Sequence, residues 1–196
     1  IVNTTQMDRW QCPFLTINET IAIAEKITAE ISAKVVVIGP HGSVTPEWVL
    51  EKSNAFDFVV RDEPEFTLLE LAQKINSKKP FATVKWISYK KGTKIVNNKR
   101  RELIHDLDKL PMPAYNLLPL KLYPYALTFS SRGCPFKCVF CFQNMYGPTF
   151  RANSPKRVVN EMQLLEKLGF EKIYFQDLEF AIDNKRVFAI CEEILK

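Results

Sequence analysis

Ala126-Leu127-Thr128-Phe129-Ser130, followed at once by Ser131-Arg132-Gly133-Cys134-Pro135-Phe136-Lys137-Cys138-Val139-Phe140-Cys141, reads as a strand that runs straight into a cysteine loop. A strand with chemistry at its carboxyl end, then a helix and a second strand, is how a (β/α) barrel begins. Ser154-Pro155 marks the helix start, with Ser as cap and Pro at the first helical position. Val158, Met162 and Leu165 fall at i, i+4 and i+7, Val159 and Leu168 widen that face, and Gly169 ends it. Lys172-Ile173-Tyr174-Phe175 reads as the next strand and Gln176 to Glu179 as its carboxyl-end loop, with Asn184 or Asp183 capping a last helix.

Upstream, strand and helix also alternate. Ile1 to Thr5 reads as the end of a buried strand. Thr16 or Asn18 can cap a helix, and Thr16 with Glu19 fits a capping box. Ile23, Ile27 and Ile31 give that helix one apolar face. Val35-Val36-Val37-Ile38 suits a parallel strand covered on both sides. Gly39-Pro40-His41-Gly42 breaks it, and Thr45-Pro46 starts a short helix. Phe56-Asp57-Phe58-Val59-Val60 is the next strand, and Arg61-Asp62-Glu63-Pro64 leads into a helix whose expected apolar face is Phe66, Leu69, Ala72 and Ile75. This alternation implies a doubly wound α/β layer that binds ligands at the carboxyl ends of its strands. Gly39 and Gly42 either let a ligand approach the backbone closely or simply turn the chain, and spacing leaves both readings open.

From Phe81 the pattern changes to a β-hairpin, with Lys90-Lys91-Gly92 between Phe81–Tyr89 and Thr93–Val96. Pro111, Pro113, Pro119 and Pro124 then forbid regular helix or sheet interior and mark an extended connector. The expected organisation is a doubly wound domain over 1–80, hairpin and linker over 81–125, and the start of a barrel over 126–196. The chain opens without Met and stops inside a helix pattern, so it is expected to be an excerpt of a longer protein and inactive by itself. At 46% hydrophobic and 25% charged residues, with no membrane-length apolar run, the composition is that of a globular protein without a membrane span. Net charge is +5, and nine of the basic residues lie between Lys78 and Arg101 without one acid. That stretch is a solvated hairpin first and a nucleic-acid surface only second, because no binding motif accompanies it.

Five cysteines, three of them clustered, do not form a disulfide framework and point to a reducing cytoplasm. Thiolates at Cys134, Cys138 and Cys141, spaced C-x3-C-x2-C, are soft ligands suited to zinc or an iron–sulfur cluster. Structural zinc and ferredoxin clusters each take four protein ligands. Cys12, His105 and Cys191 are remote and show no paired spacing. Three thiolates on a four-iron cluster leave one iron open for a small molecule. A zinc-held interaction module and an electron carrier are the non-enzyme alternatives.

The run Cys134 to Cys141, with aromatic Phe140 before the last Cys and a strand before the first, resembles the radical S-adenosylmethionine (SAM) superfamily. The resemblance implies that Cys134, Cys138 and Cys141 ligate a four-iron four-sulfur cluster whose open iron is chelated by the amino and carboxylate groups of SAM. Reductive cleavage of SAM then yields methionine and a 5′-deoxyadenosyl radical. Phe140 would pack near the adenine or fill space beneath the loop. The superfamily often carries Gly-Gly-Glu after its second strand, where this chain has Gln176-Asp177-Leu178-Glu179. Asp177 and Glu179 would meet the SAM ammonium, or else cap the helix that follows.

Val37 to Gly42, Phe58 to Glu65 and Asp106-Leu107-Asp108-Lys109-Leu110-Pro111-Met112-Pro113 are similar to the branch whose radical domain follows a cobalamin-binding domain. The resemblance implies a Rossmann-like (flavodoxin-like) cobalamin-binding-type domain ahead of the first βα units of a radical SAM (β/α) partial barrel. The nucleotide tail of cobalamin would lie along Thr4, Thr5, Gly39, Pro40 and His41. The Asp-x-His-x-x-Gly loop that carries a lower cobalt ligand is not in this sequence, and His41 is not assigned that role. The implied activity is that of a cobalamin-dependent C-methyltransferase or related cyclase, with a small-molecule substrate and a flavodoxin or ferredoxin as reductant. A methylthiotransferase acting on tRNA or protein is the alternative. It needs a second cysteine set in the front domain, where only Cys12 is present.

Overall fold

The computed structural model describes residues 1–3, 17–139, 141 and 145–196. Thr4, Thr5, Cys12, Thr16 and Phe140 lie outside the described residues. Two compact units emerge, 1–103 and 104–196.

The first unit contains β1 (Val2–Asn3), α1 (Asn18–Glu30), β2 (Val36–Ile38), α2 (Pro40–Val44), α3 (Pro46–Lys52), β3 (Phe58–Val60), α4 (Glu65–Asn76), β4 (Ile87–Lys91) and β5 (Lys94–Asn97). They build one sheet in the order β1-β2-β3-β4-β5. The first three strands are parallel, and β4 and β5 add the expected hairpin antiparallel at the edge. Residues 81–86 precede the hairpin without strand structure; Phe81 and Val84 pack into the core instead. Successive side chains of a strand point to opposite faces. Val37 and Val59 therefore pack with Ala24, Val49 and Leu50 on one side, and Val36, Phe58 and Val60 with Leu71 on the other. Helices cover both faces, which is why these strands read as continuous apolar runs.

Two helix faces differ from expectation. On α1 the buried positions are Thr20 and Ala24, while Ile23 is 54% exposed. Small Ala24 lets the helix sit close to the sheet, where an isoleucine face would hold it off. Ile17 occupies the N-cap position without a side-chain bond. On α4, Thr67 and Leu71 are buried and Leu68 and Ile75 pack beside them, while Phe66 and Leu69 (57%) face outward. Gly39-Pro40 does more than break β2: Gly39 at φ 105° turns the chain and Pro40 starts α2 immediately.

The second unit contains β6 (Ala126–Thr128), β7 (Ser131–Arg132), β8 (Arg151–Ala152), α5 (Pro155–Lys167), β9 (Ile173–Phe175) and α6 (Asn184–Ile194). β6 and β9 pair in parallel, with Leu127 opposite Tyr174, and α5 is their crossover. This is the βα unit expected of a barrel start. Ser154 caps α5 by accepting from the Arg157 amide (3.2 Å), and Asp183 caps α6 by accepting from the Arg186 amide (3.2 Å). Val158, Val159 and Ile190 form the core between the two helices.

The Pro-rich connector condenses into three 3-10 turns, Leu107–Lys109, Tyr115–Leu117 and Leu120–Leu122. It is fastened to α5. Asp108 accepts from the Ser154 amide (2.9 Å), and Arg157 donates to the Leu110 and Pro111 carbonyls (2.9 and 3.1 Å). Buried Glu161 accepts from Thr128 Oγ1 (2.6 Å) and from the Tyr115 hydroxyl. Burial first, then the hydrogen bond to Glu161, pushes the Tyr115 hydroxyl above the usual tyrosine range.

Candidate functional site

The cysteine loop leaves the carboxyl end of β6, where the Gln176 amide donates to the Thr128 carbonyl (2.8 Å) and extends the pairing with β9. Beyond exposed Phe129, Ser130 and Ser131 are buried. Asp177, from the loop after β9, accepts from both of their amides (2.6 and 3.1 Å) and from the Ser130 hydroxyl. The Ser130 carbonyl in turn accepts from the Asn153 amide (2.9 Å) and from Arg186 Nη2 (2.8 Å). Arg186 also donates to the Asn153 carbonyl (3.2 Å) and lies over the Phe180 ring at 5.7 Å. Burial lowers the Arg186 pKa, while Asp177 and Asp183 act in the opposite sense.

β7 and β8 then pair antiparallel, Ser131 with Ala152 and Arg132 with Arg151. Gly133 follows at φ +76°, and a Cβ there would stand 2.1 Å from the Thr149 carbonyl oxygen. Only glycine passes this point. The Cys134 amide donates to the Gly147 carbonyl (3.3 Å), and the residue is only 8% exposed. The returning arm is held by buried Arg151, which donates to the carbonyls of Ile104 (2.7 Å) and Tyr146. The loop then emerges into solvent: Cys138 and Cys141 are exposed, and a turn joins them, the Cys141 amide donating to the Cys138 carbonyl (3.0 Å).

Cys134, Cys138 and Cys141 are all free thiols on one loop. Among the described residues no three His, Cys, Asp or Glu side chains are gathered to hold a metal ion. The fit to a cluster therefore rests on the donor chemistry, three soft thiols in one short run. Neither Asp177 nor Glu179 caps α6, which Asp183 does. Glu179 accepts from the Ala181 amide (3.1 Å) and is half-buried. Spacing did not disclose Arg151, Asn153 or Arg186; their partners lie far along the chain.

In the first unit, Gly39, Pro40 and His41 stand at the carboxyl end of β2, and His41 stacks on Trp48 with ring centres 6.5 Å apart. Ser43 donates to the Gly39 carbonyl (3.0 Å) and accepts from the Asp62 amide (2.9 Å), which joins the turns after β2 and β3. Asp62 is buried at φ 57°, and desolvation raises its carboxyl pKa against the pull of Arg100 and Arg61.

This arrangement, a strand, a cysteine loop and a parallel βα unit, is that of a radical SAM domain. Residues 128–196 match the Radical SAM superfamily, and that segment of the chain belongs to it. Among curated proteins, the chain is 36% identical over 178 residues to an uncharacterized methyltransferase of Pyrococcus horikoshii, covering 86% of this chain and 39% of that protein. It is 31% identical over 191 residues to the anaerobic magnesium-protoporphyrin IX monomethyl ester cyclase of Rubrivivax gelatinosus, covering 90% of this chain and 34% of the relative. The chain thus spans well under half the length of these relatives. Among solved structures, the radical SAM methyltransferase TsrM from Kitasatospora setae, with cobalamin and a 4Fe-4S cluster bound, superposes with a TM-score of 0.77 at 20% identity, covering 100% of this chain and 39% of that one. The cobalamin-dependent SAM radical enzyme OxsB, with aqua-cobalamin and SAM bound, gives 0.74 at 22% identity, covering 91% and 26%. These likenesses show the fold, a Rossmann-like layer followed by the start of a radical SAM barrel.

Proposed function

We propose that the complete protein is a radical SAM enzyme of the cobalamin-dependent kind, acting as a C-methyltransferase or a related cyclase on a small molecule. The observation that carries the reading is the placement of Cys134, Cys138 and Cys141 on a glycine-gated loop at the carboxyl end of a parallel barrel strand. Those three residues would hold a four-iron four-sulfur cluster and leave one iron for SAM. When bound, such a cluster supplies one electron that cleaves SAM to methionine and a 5′-deoxyadenosyl radical. A flavodoxin or ferredoxin would deliver the electron.

This chain's own contribution is placement and exclusion of competing reactions. Phe140 and Glu179 would flank SAM, Phe140 at the adenine and Glu179 at the ammonium. Asp177 would act through the loop, because its carboxylate already receives three donors. Cobalamin would lie along the carboxyl edge of the first sheet, at Thr4, Thr5, Gly39, Pro40 and His41. In this division of labour, 1–80 serves cobalamin, the hairpin after it completes the edge of the same sheet, and 126–196 opens the radical barrel. Methyl transfer is supported by the first relative and cyclase chemistry by the second.

Anaerobic reconstitution of the complete protein tests the reading. Iron and sulfide in equal amounts are expected, with 5′-deoxyadenosine formed from SAM under dithionite and a cobalamin absorption spectrum after incubation with the cofactor. Zinc without sulfide, or no 5′-deoxyadenosine from cluster-loaded protein, would overturn it.

A further inference from the structure

Two ionic side chains hold one residue, Ser130, from its opposite poles. Asp177 takes the amide and hydroxyl of Ser130 together with the Ser131 amide. Arg186, from the first turn of α6, donates to the Ser130 carbonyl and to the Asn153 carbonyl on the returning arm. Ser130 is 1% exposed, so water does not replace these bonds. Of the roughly four acceptor sites a carboxylate offers, the loop already occupies three on Asp177. Hydrogen bonds to ionised groups are also about twice as strong as neutral ones.

From this geometry we infer that Asp177 and Arg186 are a paired positioning device for the cysteine loop. They hold its entry rigid so that Cys134 is presented in one place before any cluster is built, and the Asp177 carboxylate does not contact SAM. The inference rests on the radical SAM reading of the loop, deepens the role of Asp177 and adds Arg186, to which that reading gives none. The contrast among the thiols agrees with it. Cys134 is buried next to the clamped segment, whereas Cys138 and Cys141 are exposed beyond it.

The test begins on the complete protein without cluster. A brief pulse of iodoacetamide followed by mass spectrometry reads each thiol separately. Cys138 and Cys141 are expected to react fast and Cys134 slowly in the unaltered protein. Asp177→Asn and Arg186→Lys are each expected to speed Cys134 alone by roughly tenfold or more, since each loses bonds to a charged group. The double variant should exceed either single variant only slightly, because both act on the same residue. Ser130→Ala, which removes only the hydroxyl donor, should raise the rate less. Circular dichroism identifies a variant that has unfolded, in which case Ser130→Ala decides.

After reconstitution, Asp177→Asn should release iron to a chelator faster in the absence of SAM. The change that SAM causes in the electron paramagnetic resonance spectrum of the reduced cluster should be preserved. Unaltered Cys134 protection in folded Asp177→Asn and Arg186→Lys would overturn the inference, as would a variant that keeps its cluster but loses the SAM-induced change. If the unaltered protein takes up no iron and sulfide, the radical SAM reading fails, while the thiol measurement still judges the clamp.

Discussion

Replacing Gly133 by alanine should cost far more than the same replacement at other left-handed glycines of this chain. Gly133, Gly92 and Gly169 all have positive φ, at +76°, +61° and +95°. A Cβ in that region costs about 1–2 kcal/mol by itself. At Gly92 and Gly169 nothing lies within 4 Å of the added carbon, so the conformational cost is the whole cost. At Gly133 the carbon would stand 2.1 Å from the Thr149 carbonyl oxygen, 2.9 Å from its carbon and 3.0 Å from the Gly147 oxygen. All three are backbone atoms that cannot rotate away. The strand pair β7–β8 must part, which also loses the Cys134 amide bond to Gly147, worth about 1 kcal/mol. The total for Gly133→Ala is about 2–4 kcal/mol, against about 1–2 kcal/mol for Gly169→Ala. Urea unfolding of each variant reads the difference as a midpoint shift, and thiol labelling reads whether Cys134 has come loose. Equal midpoints for the two variants, with Cys134 still protected, would refute the reasoning.

Three further outcomes are expected. Tyr115→Phe removes one of the two donors to buried Glu161 and should cost about 1–3 kcal/mol in urea unfolding. Because the Tyr115 pKa is raised in the folded protein, the unfolded chain ionises first. The advantage over the variant is therefore full below about pH 10 and shrinks as pH rises above it. Asp62→Asn should stabilise the protein at pH 7: burial favours the protonated carboxyl, which asparagine imitates, and asparagine also tolerates the left-handed backbone. That gain should vanish below about pH 3.9, where the aspartate is protonated in both states. Gly42→Ala places a carbon 2.7 Å from Val59 Cγ1 inside the sheet–helix contact and should lower stability by about 1–3 kcal/mol, measured by thermal melting.

Much of this was legible in local sequence. Val36–Ile38 and Phe58–Val60 are strands because β-branched and aromatic residues suit a sheet covered on both sides. Ser154-Pro155 begins α5 because a hydroxyl cap and a preset φ favour a helix start within four residues. The faces of α1 and α4 were misread because periodicity marks several apolar stripes equally well, and Ile23 and Leu69 belong to the stripes left outside. Close packing against the sheet selected Ala24 and Leu71 instead.

The cysteine spacing, the strand that precedes it and the helix caps belonged to the sequence by itself, because each depends on neighbours a few residues away. The employment of Asp177 belonged to the tertiary structure. Spacing allowed it to face SAM or to cap a helix, and folding gave it Ser130 and Ser131, 47 and 46 residues back. Arg186 meets Ser130 across 56 residues, and Tyr115 meets Glu161 across 46. Buried polar groups must find partners, and which partner is in reach is settled only when distant segments pack together.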